Sequence, residues 1–187
     1  MTADPIPMRS PLDGWTAEFD GVRIAETPFL TQLDLRLDQG GGPAVAKALG
    51  GELPAEPCTA VTLGDLRVLW LGPDEWLVLA DPGRQHELKD LLRAAIGDDH
   101  GAVVDVSAQR TALSVTGPAA RTVLARGCAI DFDPRVAPAG TCVQTLLART
   151  GVTIVVGDDR GTEFLLLVRA SFAEYLAAWL ADACADL

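Results

Sequence analysis

The chain has 187 residues, 49% of them hydrophobic but only 5% aromatic, so a sizeable core can form, filled mainly by Leu, Val and Ala. Its 26 acidic and 15 basic residues give a net charge of −11, which excludes a nucleic-acid partner, since that would need a clustered basic surface. No run reaches the roughly 20 apolar residues of a membrane span, and the N-terminus lacks the apolar region of a secretion signal, so a cytoplasmic chain with no membrane partner is expected.

Residues 1–14 hold three prolines and little pattern, and are expected to form an extended arm that lies along a partner. Trp15 to Ile24 predicts a hairpin around Asp20-Gly21. Phe29 to Leu37 alternates, with Phe29, Leu33, Leu35 and Leu37 on one face and Gln32, Asp34 and Arg36 on the other: a half-buried strand. Gly40-Gly41-Gly42 is a loop, and Pro43 opens a short helix through Leu49, stopped by Gly50-Gly51. The run Gly40–Gly42 lacks the fingerprint of a dinucleotide or phosphate loop, so it reads as a flexible junction. Cys58–Leu63 and Leu66–Leu71 predict a hairpin across Gly64-Asp65. Trp76–Ala80 is another strand. Asp81 is the expected cap of a helix from about Gly83 to Ile96, whose apolar side carries Leu88, Leu91, Leu92, Ala95 and Ile96.

The stretch from Ala102 to Asp131 is the most informative. Val103, Val104 and Val106 form a strand, Ser107 to Arg110 a polar break, and Ala112 to Thr116 a second strand. Gly117-Pro118 then turns into a helix over 119–126, with Gly127 as its expected stop. A proline-bearing loop, 132–141, follows. Cys142–Ala148 and Val152–Val156 predict strands across a turn at Thr150-Gly151, and Glu163–Val168 another. Ser171 with Glu174 reads as the capping box of a last helix. That helix presents Phe172, Leu176, Trp179, Leu180 and Ala183.

The two halves resemble each other. Each runs strand, Gly-Pro, short helix, strands, long helix, with Pro43 matching Pro118 and Cys58 matching Cys142. The expected fold is therefore α+β: two ferredoxin-like β-α-β-β-α units, approximately repeated. The chain divides as an arm at 1–14, a first unit at 15–99 and a second at 100–187.

No catalytic constellation emerges. His86 and His100 stand apart, with no carboxylate or nucleophile placed to serve them. Cys58, Cys128, Cys142 and Cys184 show no C-x-x-C, so free thiols are expected, with neither a metal nor a redox site. Asp74-Glu75 and Asp158-Asp159 fit polar turns. Asp105 reads as a strand-end hydrogen-bonding residue. Arg110 is either an interface anchor or part of a solvent-exposed turn, and Arg135 and Arg169 stand the same way. Trp70, Trp76 and Trp179 read as core. Trp15, beside the arm, is the better interface candidate.

The pattern strand–GPAA–helix–G–x–x–I–D resembles the folate-binding T-protein, or aminomethyltransferase-like, superfamily. The run VDVSAQRTALSVTGPAARTVLARGCAIDFDP, with WLGPDEWLVLA before it and GTCVQTLLA and FLLLVRASFAEYLAAWLADA after it, is similar to the γ subunits of heterotetrameric sarcosine oxidases. That resemblance implies a complex that oxidatively demethylates sarcosine to glycine, with formation of hydrogen peroxide and methylene-tetrahydrofolate. It implies an α subunit with NAD, a folate domain and FMN shared with β, a β subunit with FAD and the sarcosine site, and a small zinc-bearing δ subunit. The γ subunit then binds no cofactor and braces its partners. The alternative is a stand-alone folate-binding protein of the superfamily. Such proteins carry a K-G-C-[YF]-x-G-Q-E-type segment, and residues 139–145 lack its lysine, aromatic and acid.

Overall fold

The computed structural model describes residues 8–38 and 42–187. Residues 1–7 of the expected arm and 39–41 of the glycine loop lie outside the described residues. In chain order the strands are β1 (Thr16–Phe19), β2 (Val22–Thr27), β3 (Thr31–Leu37), β4 (Ala60–Leu63), β5 (Leu66–Gly72), β6 (Glu75–Ala80), β7 (Gly101–Asp105), β8 (Arg110–Thr116), β9 (Cys142–Leu147), β10 (Thr150–Val156) and β11 (Glu163–Arg169). The helices are α1 (Pro43–Leu49), α2 (Gln85–Ile96), α3 (Ala120–Ala125) and α4 (Ala173–Ala183). They build an α+β architecture on two antiparallel sheets, as expected from the alternation of strand and helix periodicities.

One sheet runs β4-β5-β6-β3-β7 and the other β1-β2-β8-β11-β10-β9. Read from β4 and from β9, the two orders match place for place: β4 with β9, β5 with β10, β6 with β11, β3 with β8, and β7 with β2. Each sheet thus carries a four-stranded ferredoxin-like core, with one extra outer strand (β4) in the five-stranded sheet and two (β9 and β1) in the six-stranded one. The repeat seen in the chain is a repeat of topology. The strand pairing crosses the 99/100 boundary in both directions, because β7 pairs with β3 and β2 pairs with β8.

The sheets lie face to face, with helices on the outer faces. Leu33, Leu35 and Val103 pack under Val45, Leu49, Leu88, Leu92 and Ile96 of α1 and α2. Leu113, Ile154 and Leu166 pack under Val123, Leu124, Leu176 and Leu180 of α3 and α4. Leu69, Leu77 and Leu79 meet Ala112, Cys142, Val155 and Leu167 in the seam between the sheets. This second contact changes the reading of β3. Gln32, expected on a solvated face, is buried in the seam, where its amide donates to the Arg110 carbonyl at 2.8 Å. Phe29 falls outside the strand at φ 61 and is exposed.

Local signals were displaced where a tertiary partner supplied a better bond. Asp81 does not cap α2. The helix starts later, and the Arg84 N–H donates to the Thr31 hydroxyl at 3.1 Å, while that hydroxyl donates to the Asp81 carbonyl. Leu91, expected on the buried side of α2, is exposed. Ser171 lies in a single 3-10 turn before α4, and no side chain caps that helix. Phe172, expected on the buried face of that helix, is exposed. The β9–β10 turn is Ala148-Arg149, two residues earlier than Thr150-Gly151, because Leu147 and Thr150 already pair. Ala148 takes the left-handed conformation at φ 53 to close it.

Two glycines are fixed by close approach. Gly117, at φ 122, would place a Cβ 2.4 Å from the Gly21 carbonyl oxygen. The bare backbone lets the β1–β2 turn dock, and Ala119 N–H donates to the same carbonyl at 2.9 Å. Gly127 follows α3 without a left-handed φ. A Cβ there would meet the Trp179 ring at 2.5 Å, so the residue makes room for an aromatic ring.

The segment before β1 is bound down through Glu26. Glu26 is 8% exposed, and its carboxylate accepts from the Ser10 hydroxyl, the Gly14 N–H at 2.8 Å and the Thr111 hydroxyl at 2.7 Å. Leu12 and Trp15 pack against the six-stranded sheet's core. The described part of the expected arm is therefore a tethered turn on its own chain.

Candidate functional site

No group of three His, Cys, Asp or Glu side chains gathers as a metal site among the described residues. His86, in α2, and His100, beyond its end, are both exposed. Cys58 is exposed, whereas Cys128, Cys142 and Cys184 are buried thiols. Burial pushes the Cys142 thiol up to about 12. The Gly117-Pro118 turn is filled by the Gly21 backbone, so its amides face protein and cannot cradle a phosphate.

Asp105 closes a local turn. Its Oδ1 accepts from the Ser107 hydroxyl at 2.6 Å and the Ser107 N–H at 3.0 Å. Burial raises its pKa, but these bonds, with Lys89 and His86 nearby, outweigh it and hold the carboxyl below the usual range. Ser107 in turn accepts the Gln32 N–H at 3.0 Å. The polar break between β7 and β8 is therefore a bonded corner between the two sheets.

The structure brings two of the four candidate interface residues together. Arg110, the first residue of β8, and Arg169, the last of β11, face each other directly across the antiparallel pair. Arg149, from the β9–β10 turn, lines the same groove, which measures about 740 Å³. Its wall includes Thr153, Leu146 and Phe172. Alternation explains the placement. Arg169 shares a face with Leu167, and Arg110 with Ala112, so the groove is the open continuation of the inter-sheet seam. Burial draws the Arg110 pKa down, as does Arg169, while Asp34 and Glu75 across the seam act the other way. Burial and neighbouring Asp34 raise Glu75.

The other two candidates lie elsewhere. Arg135 is exposed in the loop after α3 and grips Asp133, its Nε 2.8 Å from the carboxylate. That hydrogen bond lowers the Asp133 carboxyl to about 2. Trp15 is partly buried against the six-stranded sheet. Arg149 was not singled out in the sequence, because nothing marks a turn arginine until the strand register is known. Phe172, expected on the apolar face of the last helix, is 42% exposed, and Leu146 is 62% exposed.

A second hollow of about 340 Å³ lies on the other side of Arg110, with Met8, Phe29, Asp105 and Ser107 on its walls. Arg110 therefore stands between two recesses.

Comparison with known proteins decides the family. The sarcosine oxidase, gamma subunit family matches residues 37–186. The chain belongs to the sarcosine oxidase gamma subunit family. It is 38% identical over 170 residues to a sarcosine oxidase subunit gamma of Corynebacterium sp. (strain P-1), covering 88% of this chain and 81% of that one. An Arthrobacter sp. sarcosine oxidase subunit gamma is 35% identical over 168 residues, with 88% and 81% covered.

Among solved structures, a chain of the heterotetrameric sarcosine oxidase from Corynebacterium sp. U-96, in complex with pyrrole 2-carboxylate, superposes with a TM-score of 0.84 at 35% identity. It covers 96% of this chain and 95% of that chain. The glycine cleavage system aminomethyltransferase T from Bartonella henselae matches with a TM-score of 0.60 at 14% identity, over 92% of this chain and 56% of that one, which shows the shared fold alone. The gamma subunit family thus carries a T-protein-like fold.

Proposed function

We propose that this chain is the non-catalytic γ subunit of a heterotetrameric sarcosine oxidase and braces the flavin-bearing subunits. The observation that carries the reading is the match over nearly the whole of both chains to a subunit of that assembly. In this reading the α, β and δ subunits are its partners. FAD, FMN, NAD and tetrahydrofolate sit on those other chains, in the cytoplasm, where sarcosine is demethylated to glycine with formation of hydrogen peroxide and methylene-tetrahydrofolate. No helix among the described residues is long and apolar enough to cross a membrane. The chain itself is read as two α+β units, 15–99 and 100–187, that exchange outer strands, preceded by residues 1–14. Arg110, Arg135, Arg169 and Trp15 are assigned to contacts with partners.

The mechanism of such a subunit is mechanical. A rigid double sheet offers fixed side chains at its open edges and holds partner chains in register, so that cofactors on those chains keep their spacing. Co-expression of the flavin-bearing subunits with and without this chain tests the proposal. Without it, assembled complex and sarcosine-dependent peroxide formation should both fall. Full activity and stability without it would overturn the reading. Calorimetric titration of the isolated chain with tetrahydrofolate separates the alternative, because tight binding would favour a folate-binding protein.

A further inference from the structure

We propose that the groove lined by Arg110, Arg149 and Arg169 seats an acidic segment of a partner subunit that also carries an apolar side chain. The inference rests on the subunit reading above and gives that reading a surface and a chemistry.

The first argument is charge. Arg110 and Arg169 are opposed across β8 and β11, a pairing that sheets disfavour for like charges. Arg149 adds a third cation to the same groove. Among the described residues none of the three has a carboxylate within 4.0 Å; the same holds for Arg9, Arg67, Arg93, Arg126 and Arg160, so it is the convergence of these three unpaired arginines on one groove that sets them apart. In a chain with 26 acids against 15 bases, three arginines converge where acids are kept at a distance. Asp34 and Glu75 act on Arg110 from across the seam, but neither forms an ion pair with it. Such an arrangement lowers stability in the free chain. A carboxylate arriving from outside relieves it, with two-pronged hydrogen bonds that guanidinium geometry favours.

The second argument selects a polypeptide over a small anion. Leu146 and Phe172 line the same groove and stay exposed, so arginine, aromatic and aliphatic surfaces sit side by side. That mixture marks the energetic centre of protein interfaces. A free carboxylate or phosphate would leave both apolar side chains wet.

The third argument is shape. The groove prolongs the seam that Leu69, Leu77 and Leu79 fill further along. A segment lying there would abut the buried Leu167 and Thr153 on the inner wall of the groove and extend the packing of the seam outward.

The test uses the full complex. Arg149→Glu/Arg169→Glu and Phe172→Ala chains are co-expressed with the other subunits, and affinity is read from the dilution at which the chain leaves the purified complex, at two salt concentrations. Arg149 and Arg169 are exposed, so both variants should keep the wild-type circular dichroism spectrum, and the double reversal, which turns the Arg110–Arg169 opposition into an attraction, should not lower the unfolding midpoint. The double reversal should weaken association by about tenfold or more and flatten its salt dependence, and Phe172→Ala should weaken it several-fold. Arg160→Glu, on a distant exposed turn, should change it less than about twofold. Restored binding of the double reversal on reversing an acid of a partner chain would support the seat and identify the segment. Folded reversal variants that associate like wild type would overturn it. So would inorganic phosphate binding to the isolated chain while the variants associate normally, since that would make the groove a small-anion site. Failure of the wild-type chain itself to associate would sink the subunit reading instead, so the two failures are separate.

Discussion

The two sheets share a strand order but fill one position differently. In the five-stranded sheet the fourth place of the ferredoxin-like core goes to β7, which follows α2 directly. In the six-stranded sheet no strand follows α4 among the described residues, and the same place is taken by β2, from far earlier in the sequence. A local strand needs only a short turn to find its place. A borrowed strand must be held by specific contacts, and those cluster on it: the Gly21 turn pressed on Gly117, and the Glu26 carboxylate that gathers Ser10, Gly14 and Thr111. The matching Gly42-Pro43 junction of the other half has open space around Gly42.

The sharpest way to break that contrast is Gly117→Ala against Gly42→Ala. The first forces a methyl group into a carbonyl oxygen at a left-handed φ and should lower stability by about 3 kcal/mol or more. The second should stay within about 0.5 kcal/mol. Urea midpoints of the two variants measure this, and equal effects would remove the distinction between borrowed and local strands. Glu26→Ala strips the anchor of β2 and leaves a buried hydroxyl and an N–H unpaired, at about 2–3 kcal/mol. In the other half, Thr31→Ala removes the hydroxyl that starts α2 and should cost about 1–2 kcal/mol.

The smallest effect at neutral pH lies in the seam. The Cys142 thiol is raised to about 12 by burial, so the folded state holds its proton more tightly than the unfolded chain does. Its stabilising contribution is complete below the ordinary thiol value near 9 and is lost as pH rises through about 12. Wild-type stability should therefore fall between those limits, and Cys142→Ala should flatten the fall. In the native protein a thiol reagent should modify Cys58 first, because it is the exposed cysteine.

Much of this was legible from pattern. Pro43 to Leu49 forms a helix with the expected bounds, and the hairpins around Asp20-Gly21 and Gly64-Asp65 stand where turn residues put them. The repeat was visible because Pro43 and Pro118 stand at matched steps of one topology; Cys58 and Cys142 do not, since Cys142 opens β9 while Cys58, expected to open a strand, lies in an exposed turn at φ 61 before β4. Partner choice between strands was not visible. Periodicity marks the faces of a strand, but not which sheet receives it, so the crossing of β2 and β7 had no local sign. Gln32 shows the same limit: a polar residue on an alternating strand reads as solvated until a second sheet covers it. The capping box at Ser171 failed because a 3-10 turn precedes the helix. Arg110 and Arg169 carried a compositional signal. Their convergence with Arg149 depended on register, which only the folded sheet supplies.

The borrowed strand also bears on synthesis. Glu26 and Thr111, which touch in the finished protein, are separated by 85 positions. During translation the hairpin of β1 and β2 emerges first and waits, its pairing edge bare, until β8 leaves the ribosome. Long-range closure of this kind slows folding and leaves a template for unwanted strand addition. The nascent chain is thus most vulnerable while the residues between β2 and β8 are being made, and holdase chaperones that occupy that bare edge would raise the yield of usable subunit.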